Sequence, residues 1–350
     1  MPNPSLRRIQ VPALGLVLAI FSFILPARLA ADLVWTAQTG WRLEGGALSG
    51  LAGNDGPNAI ELMNKARLAE ENGSSGSAIG SYEKVSKRYP NSVYAPEALY
   101  RTAKLRLARK QYIKAFEAYQ QVTLRYPNTK RFNEIVGEQY RIASALLDGA
   151  RNRTWGWLPG FRNRERAIQF FEVILLTAPY SDYAPLALMN IARGHQKLRE
   201  TEEAIDALDR MINLYPQSLL APDAYLKLAQ AHASLVEGPY YDQGSTKEAV
   251  TYFEDFMILF PSDTAIADAA TGLDRVKVVL AESKMKIGDF YFYRRNNFKA
   301  ARVFYNEAIT AYPDSEVAKT AKLRLADVED KAAGRPVAPE GGRKKRFLLF

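Results

Sequence analysis

The chain contains no cysteine in 350 residues, and that absence excludes a set of chemistries at once. There is no disulfide, no thiol nucleophile, no zinc ribbon and no amino-terminal cysteine to carry a lipid. Histidine is almost as scarce: His195 and His232 are the only two. They occupy the same place in two successive repeats, three residues beyond Ala192 and Ala229, where a ring packs between helices, so a structural role is expected. No His-Glu-x-x-His, Walker loop or Ser/His/Asp set is present. Catalytic, cofactor-binding and metal-binding residues are therefore all expected to be none. Gly73-Ser74-Ser75-Gly76-Ser77 has the composition of a phosphate cradle but follows no strand, and reads as a turn between helices.

Acid is in deficit at the two ends. The whole chain carries +9. Arg7, Arg8 and Arg28 stand in an acid-free leader, and the tail from Lys331 onward holds six basic residues against Glu340. Removing both leaves the body near +1, which argues against a nucleic-acid groove. Long apolar runs are also missing beyond Val11 to Leu25. That run, preceded by Arg7-Arg8 and followed by Ala27, Ala30 and Ala31, has the layout of a secretory signal peptide, residues 1–31. It is shorter than the ~20 residues of a bilayer span. Arg28 or Leu29 stands where cleavage prefers a small residue, so an uncleaved anchor is the alternative.

What the chain does have is one pattern written six times. Tyr89-Pro90-Asn91-Ser92, Tyr126-Pro127-Asn128-Thr129, Ala178-Pro179-Tyr180-Ser181, Tyr215-Pro216-Gln217-Ser218, Phe260-Pro261-Ser262-Asp263 and Tyr312-Pro313-Asp314-Ser315 each follow a helical spacing. Proline stops a helix and displaces the residue before it, and the polar residue that follows is a natural N-cap for the next helix. Twelve, eight and five residues upstream of each proline stand a small, a large and an apolar residue: Ala78, Tyr82, Val85; Ala115, Tyr119, Val122; Ala167, Phe171, Ile174; Ala204, Leu208, Met211; Ala249, Phe253, Phe256; Ala301, Tyr305, Ala308. This is the signature of the second helix of a tetratricopeptide (TPR) repeat, the alanine sitting where two helix backbones cross closely. Ala66, Ala103, Ala192 and Ala229 are the matching small residues of first helices.

The spacing predicts an all-α TPR solenoid of about six helix pairs over residues 57–332, with 316–332 as a capping helix. Residues 32–56 read as an extended, poorly ordered amino-terminal arm and 333–350 as a basic disordered tail. The prolines are 37, 52, 37, 45 and 52 residues apart. The excess over the minimal repeat places insertions near 149–165 and 237–246 and a long first helix from about 264 to 294.

Solenoids of this kind bind other polypeptides. Positions two, five and nine of first helices are Glu97, Tyr100 and Lys104; Leu186, Met189 and Arg193; Asp223, Leu226 and Gln230, expected on a binding wall suited to an extended peptide with alternating aromatics, such as the final strand of a barrel protein. The first insertion interleaves Trp155, Trp157 and Phe161 with Arg151, Arg153, Arg162, Arg164 and Arg166, residue types that concentrate binding energy. Its bland alternative is that the rings fold back on the repeats. Arg343-Lys344-Lys345-Arg346 before Phe347-Leu348-Leu349-Phe350 gives the tail a possible peripheral contact with anionic lipid.

Gly238-Pro239-Tyr240-Tyr241-Asp242-Gln243, Ala249-x3-Phe253-x2-Phe256-x3-Phe260-Pro261, Ala281-Glu282-x5-Gly288-Asp289-Phe290-Tyr291 and Tyr312-Pro313-Asp314-Ser315 resemble the carboxy-terminal half of the BamD family, TPR lipoproteins of the bacterial outer-membrane barrel assembly machine. The likeness runs from about 57 to 330, and 238–315 is its specific portion. It implies a non-enzymatic scaffold whose carboxy-terminal repeats bind a BamA-like barrel-assembly protein and whose amino-terminal repeats receive unfolded outer-membrane protein precursors. Carried over by position, the partner face includes Asp289, Tyr291, Arg294 and Arg302. An exported protein at the periplasmic face of the outer membrane follows, not lipidated through cysteine, with no homo-oligomer and no nucleic acid implied. Two departures stand out: the leader ends in Ala-Arg-Leu-Ala-Ala where the family has a lipobox cysteine, and there are more repeats than the usual five. The alternative is a periplasmic TPR adaptor of another envelope system, a Tol-Pal or peptidoglycan-synthesis coordinator.

Overall fold

In a computed structural model of the chain, residues 32–44, 56–154, 158–241 and 243–335 are described. Thirteen α-helices lie among them: α1 (Gly56–Glu71), α2 (Ser75–Arg88), α3 (Ala95–Ala108), α4 (Tyr112–Arg125), α5 (Phe132–Leu147), α6 (Arg164–Thr177), α7 (Tyr183–Leu198), α8 (Thr201–Leu214), α9 (Ala221–Ser234), α10 (Gly244–Leu259), α11 (Ile266–Asp289), α12 (Phe298–Ala311) and α13 (Glu316–Ala332). The first twelve form six consecutive pairs and α13 follows as the cap, so the fold is of the all-α TPR solenoid class. The leader and the tail beyond residue 335 lie outside the described residues.

The register read from the prolines is the register of the core. All eighteen small, large and apolar positions of the second helices are at most 2% exposed, and so are Ala66, Ala103, Ala192 and Ala229. Each second helix ends where its proline dictates. The residue before the proline donates its N–H to the carbonyl four residues back, as Tyr89 does to Val85 (2.9 Å) and Tyr215 to Met211 (3.0 Å). The polar residue after the proline closes a turn, as Ser92 does onto Tyr89 (3.0 Å) and Ser218 onto Tyr215 (3.0 Å).

Capping follows the expectation in only one of the six turns. Ser315 caps α13, its Oγ accepting from Ala318 N at 3.0 Å. In the five others the chain makes a second turn, closed onto Thr129 O, Ser181 O and Asp263 O in three of them and, in the remaining two, by Ala95 donating to Ser92 O and Ala221 to Ser218 O. There Tyr94 and Leu220 stand at the N-cap without a side-chain bond, and Pro96 and Pro222 start the helix. The three residues by which these repeats exceed the minimal length make that second turn.

The described residues fall into two compact units, 32–135 with 151–161 and 136–150 with 162–335. In the first, residues expected to form an unstructured arm make an antiparallel hairpin, β1 (Asp32–Thr36) with β2 (Gly40–Glu44). Two tryptophans give it something to bury: Trp41 is 4% exposed in the cluster of Ala59, Met63, Ala66 and Tyr82, and Trp35 lies under the Arg67 guanidinium at 4.2 Å. Trp41 N donates to Asn64 Oδ1 (2.8 Å). A second hairpin, β3 (Arg153–Thr154) with β4 (Leu158–Pro159), occupies the first insertion. In the second unit the expected long helix is α11, continued by a π-helical turn, Phe290–Arg294.

Candidate protein-binding surfaces

In the first unit a ladder of charges crosses the first helices of successive pairs. Arg67 meets Glu70 (3.2 Å) and Glu71 (3.1 Å), Arg101 meets Glu70 (3.6 Å) and Glu97 (2.8 Å), and Arg131 meets Glu97 (3.4 Å) and Glu134 (3.4 Å). Two tyrosines tie into it. Tyr82 donates to Glu70 (2.9 Å) and Tyr100 to Glu134. Burial, then the bond to Glu134, pushes the Tyr100 hydroxyl up to about 12. Tyr100, expected on a binding wall, is 4% exposed. It is therefore a packed residue of the ladder, with the Arg131 guanidinium 4.6 Å above its ring. Lys104 remains exposed, 5.4 Å from that ring. Tyr100 and Glu97 also line a groove of about 910 Å³ between Leu33 and Val34 of β1 and the turn from Tyr126 to Arg131.

Three depressions among the described residues of the second unit stand out. The first, of about 940 Å³, lies between the turns at Pro179 and Pro216 and is apolar: Tyr180 is 100% exposed, Leu219 98% and Leu214 62%. Sequence reasoning passed over these residues because it treated the turns as punctuation. The signal was an apolar residue in a polar turn, Tyr180 after Pro179 and Leu219 after Ser218. The second, of about 570 Å³, has Gln230, Phe253 and Gly272 in its wall. Leu226 packs at the edge of the neighbouring core, Met189 is half-buried, and Arg193 pairs with Asp148 at 3.2 Å.

The third depression, of about 930 Å³, brings Asp289, Tyr291 and Arg294 together with Tyr240 and Lys286. Arg302, exposed on α12, is not part of its wall. The loop from 237 to 243 is closed by Gln243, whose Nε2 donates to Gly238 O (3.0 Å) and Tyr241 O (2.8 Å). It is pinned to α11 by Tyr240, 5.2 Å from Lys286 Nζ. The π-helical turn places one extra residue per turn, which rotates Tyr291 onto Phe304, stacked at 5.5 Å. Asp289 has an internal duty, accepting from the buried Tyr305 hydroxyl at 2.8 Å. Burial, then that bond, raises the Tyr305 hydroxyl above its ordinary range. Gly288 leaves room for the same ring, since a Cβ there would lie 2.7 Å from Tyr305. The Gly288-Asp289 pair is thus read as the seat of Tyr305, with Tyr291 and Arg294 as the outward groups.

The two histidines are packed or paired. His232 stacks on Tyr252 at 5.4 Å, and His195 Nδ1 lies 2.8 Å from Glu200 Oε2. Among the described residues no group of three His, Cys, Asp or Glu is placed to hold a metal. Of the glycine-serine run at 73–77, Gly73, at φ +73°, and Ser74 lie in the turn between α1 and α2, and Ser75, Gly76 and Ser77 begin α2. Phe161 does not fold back; it is 96% exposed, and Trp155 and Trp157 lie outside the described residues.

Helix pairs and proline turns define a protein of the TPR class, and residues 97–129 match the tetratricopeptide-repeat family model. A second likeness lies further along the chain. Residues 162–329, just under half of it, match the YfiO family, described as outer membrane lipoprotein. The chain is 29% identical over 163 residues to outer membrane protein assembly factor BamD of Rickettsia prowazekii, covering 47% of this chain and 64% of that one. It is 27% identical over 129 residues to BamD of Caulobacter vibrioides, covering 37% and 42%. The chain is thus similar to BamD proteins, and the match spans less than two thirds of either relative. A tetratricopeptide repeat protein of Parabacteroides merdae is 15% identical over 77% of this chain and 99% of that one, at a TM-score of 0.30.

Proposed function

We propose that this protein is a non-enzymatic scaffold of outer-membrane protein assembly, holding a BamA-like barrel-assembly protein through its second unit and unfolded barrel precursors on its TPR helices. The observation that carries the reading is a coincidence of two features. The stretch that matches the YfiO family, residues 162–329, contains three departures from bare repeats, the loop closed by Gln243, the long α11 and the π-helical turn. These departures build the depression that displays Tyr240, Tyr291 and Arg294, aromatic and arginine groups of the kind that anchor protein interfaces. For precursors, the exposed Tyr180, Leu214 and Leu219 and the groove beside β1 supply apolar contact to an extended chain.

An outer-membrane-associated place in the envelope follows from the same reading. No helix among the described residues is long and apolar enough to cross a membrane, and the chain has no cysteine to lipidate. Affinity purification of the tagged chain from the envelope tests the proposal. Recovery of a BamA-type protein supports it. Recovery of Tol-Pal or peptidoglycan-synthesis components in its place would move the protein to another envelope system.

A further inference from the structure

The β3–β4 hairpin lies outside the surfaces named above for that function and has its own chemistry. It belongs to the first unit and is fixed to the α3–α4 corner at two points. Arg153 N donates to Lys110 O (2.9 Å) and Ile113 N to Asn152 Oδ1 (3.1 Å), while Gly160 N closes the hairpin itself on Asn152 O (2.8 Å). From this seat it shows large apolar groups to water: Phe161 is 96% exposed and Leu158 42%. Arg151 and Arg153 on the hairpin, and Lys110 and Lys114 at its base, are exposed and form no ion pair among the described residues. No acidic residue occurs from 149 to 164, and Glu117 is the nearest on α4.

We propose that this hairpin is an interfacial anchor for an anionic lipid surface. Phe161 and Leu158 enter the headgroup region, and the four cations hold lipid phosphates. An aromatic ring flanked by long cationic side chains has its lowest free energy where one end is apolar and the other wet. Charge complementarity selects the anionic leaflet. A protein partner fits less well, because a specific interface takes roughly 800 Å² and 20–30 residues on each side, whereas the hairpin has eleven residues, 151–161. The inference rests on the residues either side of Trp155-Gly156-Trp157, and it goes beyond the scaffold reading, whose partners are proteins.

The absence of cysteine makes a site-resolved test direct. The full chain carrying Phe161→Cys, labelled with an environment-sensitive fluorophore, is mixed with vesicles of phosphatidylcholine alone or of phosphatidylcholine with phosphatidylglycerol; Leu219→Cys, at an exposed turn, is the control. The proposal expects a blue-shifted, brighter signal at 161 with the anionic vesicles only, and none at 219. Adding Arg151→Gln and Arg153→Gln lowers the apparent partitioning about thirtyfold, each charge near the surface being worth ~1 kcal/mol. A label at 161 that stays silent on anionic vesicles overturns the proposal whether or not the chain sediments with them, and leaves the hairpin to a protein partner. Because the readout is local to the hairpin, the leader and the basic tail cannot mimic it.

Discussion

At the scale of single residues, Tyr305 explains more than any other side chain. Its ring needs the missing Cβ of Gly288, and its hydroxyl needs the Asp289 carboxylate. Gly288→Ala therefore pushes a methyl into a fully buried ring and should cost about 1–3 kcal/mol in urea denaturation. Tyr305→Phe keeps the ring, deprives Asp289 of its donor and should cost only about 1 kcal/mol. If the two variants were equally mild, the packing account of this pair would be wrong. His232 gives a pH dependence with a definite sign. Burial lowers its imidazole from the ordinary 6.5, against the opposing pull of Glu248 and Asp209. The unfolded chain then binds the proton more readily, so stability is fully present above about pH 6.5 and declines as pH falls below it. Comparing melts at about pH 7.5 and about pH 5 should show a smaller drop for His232→Gln than for the wild type.

At the scale of elements, most of the molecule was legible because proline and alanine report constraints of the backbone itself. A proline stops a helix wherever it stands, and an alanine at a helix crossing is a matter of distance, so six turns and eighteen core positions followed from spacing. The caps were not legible, since a polar residue after a proline either caps a helix or turns the chain again. Ser315 does the first, its Oγ bonded to Ala318 N, while the Ser92 Oγ has no partner among the described residues. Ser315→Ala should thus cost about 1 kcal/mol and Ser92→Ala close to nothing, read as shifts in thermal midpoint. The β1–β2 hairpin was missed for a different reason. Two tryptophans among glycines show no helical period, and only the core of α1 and α2, which receives Trp41, makes them a folded element.

For the molecule as a whole, sequence marked where the repeats are interrupted but not which side chains face outward there. Tyr100 had the right register for a ligand contact and spends its hydroxyl on Glu134, whereas Tyr180 and Leu219 sat in turns and are almost wholly exposed. Register locates a helix face, but burial on that face depends on the next pair, which spacing alone does not weigh. The central claim, that the second unit holds a BamA-like protein through the depression at the π-helical turn, is tested most directly by one binding measurement. The purified chain, a Tyr291→Ala/Arg294→Glu variant and a Lys104→Glu variant are titrated against the periplasmic domains of the BamA-type protein. The account predicts saturable binding for the wild type and Lys104→Glu, and at least about tenfold weaker binding for Tyr291→Ala/Arg294→Glu, the loss of an aromatic and arginine anchor. No binding by the folded wild type, or equal binding by all three, would contradict it.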